Sequence, residues 1–182
     1  GGGEAEAGCV GARGEPGKRQ SRFRDKVETR TATEMLTQTR IALDCQTPVA
    51  QLKRNQPPRN VIDMAMMDEV AQAMAEIETR HDVCTVILSG AGKAFSVGVD
   101  VAAHTPDKVE DMLTRFHAVI RAVVSSRKVT IAAVHGHCLG GGAELAMVCD
   151  LWYTADNAAW GFHEIKLGCS PPVRATAPAA WG

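Results

Sequence analysis

The stretch Thr130 to Glu144 reads TIAAVHGHCLGGGAE, and it joins three local signals. The apolar run Val129–Val134, rich in β-branched residues and alanine, predicts a strand buried on both faces. Gly140, Gly141 and Gly142 then remove every side chain at the turn, so that a ligand can lie against backbone N–H groups where a helix begins. Such groups suit an oxygen that becomes negative during a reaction. Glu144 follows about one turn into that helix and faces the same spot. A glycine triplet alone is usually a turn, so the reading depends on its neighbours. Upstream, GKAFSVGVD (92–100) is a second glycine-bearing loop after a strand. Downstream, WGFHEIKLG (160–168) offers a second acid, Glu164.

Working outward, the segment from Thr39 to Lys53 predicts a hairpin about the turn Thr47-Pro48. Asp63 is set to cap a helix whose apolar stripe is Met67, Val70, Met74 and Ile77. VCTVIL (83–88) predicts a short strand. Thr105 as cap and Pro106 at the first helical position predict a second helix bearing Val109, Met112, Leu113, Phe116, Ile120 and Val123. LWYTA (151–155) is a further strand. Strands alternating with helices imply an α/β architecture with the functional loops at the carboxyl ends of the strands. Both glycine-bearing loops fall at such ends.

Composition narrows the classes of function. The 182 residues have 45% hydrophobic content and a formal net charge of −1, enough for one sizeable core and with no bias toward nucleic acid or a membrane surface. No apolar run has transmembrane length and the start lacks a signal-peptide pattern, so the expected address is cytoplasmic. Residues 1–36 read as a disordered or extraneous leader. The six cysteines form no CxxC pair, and Cys84, Cys138 and Cys149 read as reduced core thiols. His135 and His137 form an HxH without a third ligand at a useful spacing, which favours a structural role over a metal site.

Four segments in order, LKRNQPPRNVID, GAGKAFSVGVD, AAVHGHCLGGGAELAMVCD and WGFHEIKLG, resemble the successive motifs of the enoyl-CoA hydratase/isomerase (crotonase) superfamily. The resemblance covers about residues 41–173 and implies a partial core over 37–173 and a non-homologous tail over 174–182. It implies a spiral of repeated ββα turns, with the family's C-terminal helical part missing here. It also implies that the substrate is an acyl-CoA thioester, with coenzyme A as part of the substrate and no separate cofactor or metal. The thioester carbonyl would sit between the N–H groups of Val99 and Gly141, an oxyanion hole for an enolate. Ser96, Val97, Gly98, Asp100, Gly140 and Gly142 would border the bound thioester. Glu144 and Glu164 match the family's two glutamates. One carboxylate deprotonates the attacking water and the other supplies a proton to the α-carbon. We assign Glu144 to the water and Glu164 to the proton, an order the motifs alone leave open.

Details such as EIKLGCSPPV look closer to the cyclohexa-1,5-diene-1-carbonyl-CoA hydratase branch, and Val97 stands where alanine is usual in the fatty-acid enzymes. The resemblance further implies a homotrimer or hexamer at full length, with no nucleic-acid or membrane partner. Three readings remain: a hydratase, an isomerase on the same fold, or an inactive fragment acting at most as a CoA-binding or assembly module.

Overall fold

The structure is a computed structural model of the chain and describes residues 40–162. The leader, the tail and Glu164 lie outside these residues. Two sheets are built in step. The larger has strands β1 (Ile41–Gln46), β2 (Val49–Arg54), β3 (Thr85–Gly90), β5 (Val129–Val134) and β7 (Leu151–Thr154), in the order β1-β2-β3-β5-β7. The smaller has β4 (Ala94–Ser96), β6 (His137–Leu139) and β8 (Ala159–Gly161), in the order β4-β6-β8. Among the strands of the described residues, only β1 and β2 pair antiparallel, through the turn at Thr47-Pro48; the other strand pairings are parallel, and an isolated antiparallel bridge joins Ala94 and Gly136.

From β3 onward each turn gives one strand to each sheet and then a helix. β3 and β4 precede α2 (Val109–Val124), β5 and β6 precede α3 (Gly141–Met147), and β7 and β8 begin a third turn. This is the expected α/β spiral of ββα units. It stacks equivalent loops at one end, because parallel strands all finish on the same side. The loop after β4 and the turn after β6 therefore become neighbours.

Helix α1 (Met64–Thr79) starts at Asp63, whose Oδ1 accepts from the Met66 N–H at 2.8 Å, as its sequence predicts. Its buried stripe is Met66, Met67, Val70, Ala73, Met74 and Ile77, and each large side chain so buried is worth roughly 1.5–3 kcal/mol. In α2 the buried set is Met112, Phe116, Val119, Ile120 and Val123. Both helices join the strands in one hydrophobic core.

Several sequence expectations are corrected. Helix α2 begins at Val109, not at Thr105 and Pro106, because the Thr105 carbonyl accepts from both Lys108 and Val109 and closes a separate turn. β3 starts at Thr85, which leaves Cys84 exposed outside the core, while Cys138 and Cys149 are buried. β5 is fully buried on one face only, through Thr130, Ala132 and Val134; Ile131 and Ala133 are half-buried and Val129 is exposed. The loop after β3 contains a strand, β4, too short to show as a pattern. Among the described residues no helix is long and apolar enough to cross a membrane.

Candidate functional site

Most of the buried polar side chains of the described residues lie in one place. Among the described residues the buried polar or charged ones are Arg54, Asn60, Ser96, Thr130 and Glu144. Of these, Arg54, Asn60 and Ser96 bind the segment that runs from Ala91 to Gly98, and Glu144 lies on the helix packed against it. Thr130 is elsewhere, bonded to Asp150 below α3. Burying polar groups costs free energy unless they are hydrogen-bonded, so such a cluster marks a segment whose shape is tightly specified.

Asn60 anchors this segment. Its Nδ2 donates to the carbonyls of Ala91 and Ala94 at 2.8 and 2.7 Å, and its Oδ1 accepts from Gln56 N at 3.0 Å. The backbone there is left-handed, with φ 48°, a conformation that asparagine tolerates better than most residues. Arg54 braces the same segment from beneath: Nε donates to the Phe95 carbonyl at 3.2 Å and the guanidinium lies 3.8 Å from the Phe95 ring centroid. Burial lowers the pKa of Arg54 to about 10, and the same cause pushes the thiols of Cys138 and Cys149 up to about 12.

Beyond β4 the chain crosses Ile62. A bridge pairs Val99 with Ile62 through the Gly98 carbonyl and the Asp100 N–H, at 2.9 and 3.1 Å. Alternate residues of an extended chain point their polar groups to opposite edges, so the Val99 N–H faces away from Ile62. Val97 donates to the Arg59 carbonyl at 3.1 Å and is half-buried. Asp100 caps the short 3₁₀ turn Val101–Ala103 with its side chain.

The second glycine-bearing segment is in direct contact with the first. Gly98 has φ 104°, and a Cβ there would come 3.0 Å from the Leu139 carbonyl and 3.4 Å from Gly141 N. A Cβ at Gly141 would meet Val99 Cγ2 at 2.7 Å and the Phe116 ring at 3.2 Å, and one at Gly142 would meet Ser96 Cβ at 2.6 Å. Side chains at these places would drive the two segments apart. Gly140, whose N–H donates to the Gly161 carbonyl at 2.9 Å, is the turn from β6 into α3. The Gly141 N–H lies in the first turn of α3, where no intrahelical partner exists. Glu144 follows with 3% of its surface exposed, its own N–H bonded to the Gly140 carbonyl at 3.0 Å.

Ser96, Gly98, Val99, Gly140, Gly141, Gly142 and Glu144 are thus brought together, with Val97 and Asp100 at the margin, and Glu164 lies outside the described residues. Sequence reasoning assigned no role to Asn60 or Arg54. The one signal was their place in LKRNQPPRN, a segment whose prolines show only that a strand cannot continue through it. His135 serves the scaffold: its Nε2 lies 3.1 Å from the Gly92 carbonyl. Chemically, a helix start with a backbone N–H free of intrahelical partners, packed against a second glycine-bearing segment and followed by a buried glutamate, suits a reaction in which a carbonyl oxygen gains negative charge while a proton is moved.

Comparison with known proteins gives a consistent result. The enoyl-CoA hydratase/isomerase family profile matches residues 44–179. A probable enoyl-CoA hydratase of Mycobacterium tuberculosis is 40% identical over 113 residues, which is 62% of this chain and 44% of that protein. The cyclohexa-1,5-dienecarbonyl-CoA hydratase of Thauera aromatica is 34% identical over 123 residues, 68% of this chain and 48% of the relative. The chain thus spans about half the length of these curated relatives. Among solved structures, an enoyl-CoA hydratase/carnithine racemase from Magnetospirillum magneticum superposes with a TM-score of 0.73 at 28% identity, over 80% of this chain and 59% of that one.

Proposed function

Since the chain belongs to the enoyl-CoA hydratase/isomerase family, we propose that it adds water across the double bond of a 2-enoyl-CoA or cyclic dienoyl-CoA thioester. The observation that carries this reading is the contact between the Gly98-Val99 backbone and Gly141, at the start of the helix that bears buried Glu144. In this reading the thioester oxygen accepts from the N–H groups of Val99 and Gly141. Their donation grows stronger as the carbonyl becomes an enolate, so it lowers the barrier more than it tightens ground-state binding. Losing one such donor in other enzymes costs about 2.7–4 kcal/mol.

Glu144 takes a proton from water as the oxygen attacks the β-carbon, and Glu164 delivers a proton to the α-carbon. The sum is one water added, hydroxyl at the β-carbon and hydrogen at the α-carbon. Coenzyme A enters as part of the substrate, bordered by Val97, Gly98, Asp100, Gly140 and Gly142. A homotrimer or hexamer at full length belongs to the same proposal and is measured by sedimentation. The test is loss of the conjugated enoyl thioester absorbance on adding the chain, abolished by Glu144→Gln and by Glu164→Gln. Normal thioester binding without hydration by the unaltered chain would refute it.

A second reading is double-bond isomerisation, which needs the same pair of N–H groups and one base. The family description names both activities. Isomerisation moves hydrogen within the substrate and takes no oxygen from water.

A further inference from the structure

Resting on that reading of the site, we propose that Ser96 is a positioning residue that sets the spacing of the two N–H donors, and that it does not touch the ligand. Its sequence position had suggested ligand contact. Its side chain is fully buried, and its Oγ–H donates to the Asn60 carbonyl at 2.7 Å. A hydroxyl carries one proton, and that proton is committed. The same oxygen accepts from the Gly98 N–H at 3.1 Å.

Ser96 therefore connects three segments through one short side chain. Below it is Asn60, itself fixed by bonds to Gln56, Ala91 and Ala94. Beside it is Gly98, whose peptide leads into the Val99 N–H. Above it is Gly142, so close that a Cβ there would lie 2.6 Å from Ser96 Cβ and 2.9 Å from its Oγ. Gly142 follows Gly141 in the first turn of α3. One proposed donor is thus placed by the hydrogen bond that Ser96 accepts, and the other by the surface it presents to the helix. Oxyanion stabilisation depends on donors lying within a few tenths of an ångström of the best distance, so loosening this contact weakens donation without removing either donor.

The test uses the 182-residue chain with a saturated acyl-CoA labelled with ¹³C at the thioester carbonyl, read by isotope-edited infrared difference spectroscopy. On binding, the unaltered chain is expected to lower the carbonyl stretch. Ser96→Ala is expected to lose at least half of that lowering, with dissociation constant and KM within about threefold and kcat reduced about tenfold. Ser96→Cys, close in size and a weaker hydrogen-bonding group, is expected to fall between the two; it carries the test alone if the alanine variant does not fold. A full carbonyl shift in either variant, with only the melting temperature lowered, would overturn the proposal. So would a rise in KM at unchanged carbonyl frequency, which marks a ligand contact. No lowering in the unaltered chain would instead refute the oxyanion-hole reading, and the role of Ser96 with it.

Discussion

The two ends of the parallel sheet are held by different physics. At the amino ends of β3 and β5 the connections carry exposed charge. Arg80 pairs with Asp82 at 2.7 Å, Asp82 also accepts from Thr47 Oγ1 at 2.9 Å, and Arg127, 78% exposed, reaches Glu78 at 3.4 Å. At the carboxyl ends Asn60, Ser96 and Arg54 make buried hydrogen bonds to the chain that carries Gly98 and Val99. Exposed ion pairs contribute little, because water already solvates both partners and salt screens them. A buried hydrogen bond adds a modest amount when made, but leaving one partner unsatisfied costs about 1–3 kcal/mol. The exposed charges of the amino end therefore tolerate change, with the buried Thr130–Asp150 bonds as the exception there, and the carboxyl end specifies one backbone path.

The largest effect that would sharpen this contrast is chemical. Glu144→Gln keeps the shape of the side chain and removes the base; turnover of enoyl-CoA is expected to fall by about 10²- to 10⁴-fold while thioester binding persists, measured by steady-state kinetics beside calorimetry. Next comes Asn60→Ala, which strips donors from two buried carbonyls and places alanine at φ 48°. It is expected to cost on the order of 2–4 kcal/mol in urea unfolding. A loss no larger than that of a surface mutant would break the comparison.

Alkaline pH probes the buried interior more gently. The Cys138 and Cys149 thiols titrate at about 12 in the fold, against 9.0 ordinarily, so the folded state keeps their protons longer. Their contribution is complete below pH 9.0 and is lost as pH rises through about 12. Arg54 opposes this, because its lowered pKa relieves a burial cost only above about 10. Two thiols outweigh one guanidinium. Melting temperatures under reducing conditions are expected to fall above pH 9.0, less steeply in Cys138→Ala. The smallest effect belongs to Arg127→Ala at the amino end: its urea midpoint is expected to match that of the unaltered chain.

Much of this was legible in the residues because the signals were local. The cap at Asp63, the apolar stripe of α1 and the turn at Gly140 each depend on neighbours within a few positions. Where an outcome depended on distant partners, local reading failed. Thr105-Pro106 has the composition of a helix start, yet its turn closes on itself, and the acids Glu110 and Asp111 mark the first turn of α2. Cys84 lies in an apolar run but just before β3, where Val83 is buried and Cys84 is not. Asn60 follows Pro57-Pro58 by two residues, and only the path of the Ala91–Ala94 segment, some thirty residues on, shows that it is buried. The hydrogen bond from Ser96 Oγ to the Asn60 carbonyl likewise joins residues far apart in sequence, so the motif alone does not show it.

Hydration at Glu144 is the central claim, and one isotope measurement tests it most directly. An enoyl-CoA incubated with the chain in heavy-oxygen water is expected to give a 3-hydroxyacyl thioester carrying one labelled oxygen, with no label incorporated by Glu144→Gln. A rearranged double bond without label, or label incorporated equally by the variant, would contradict it.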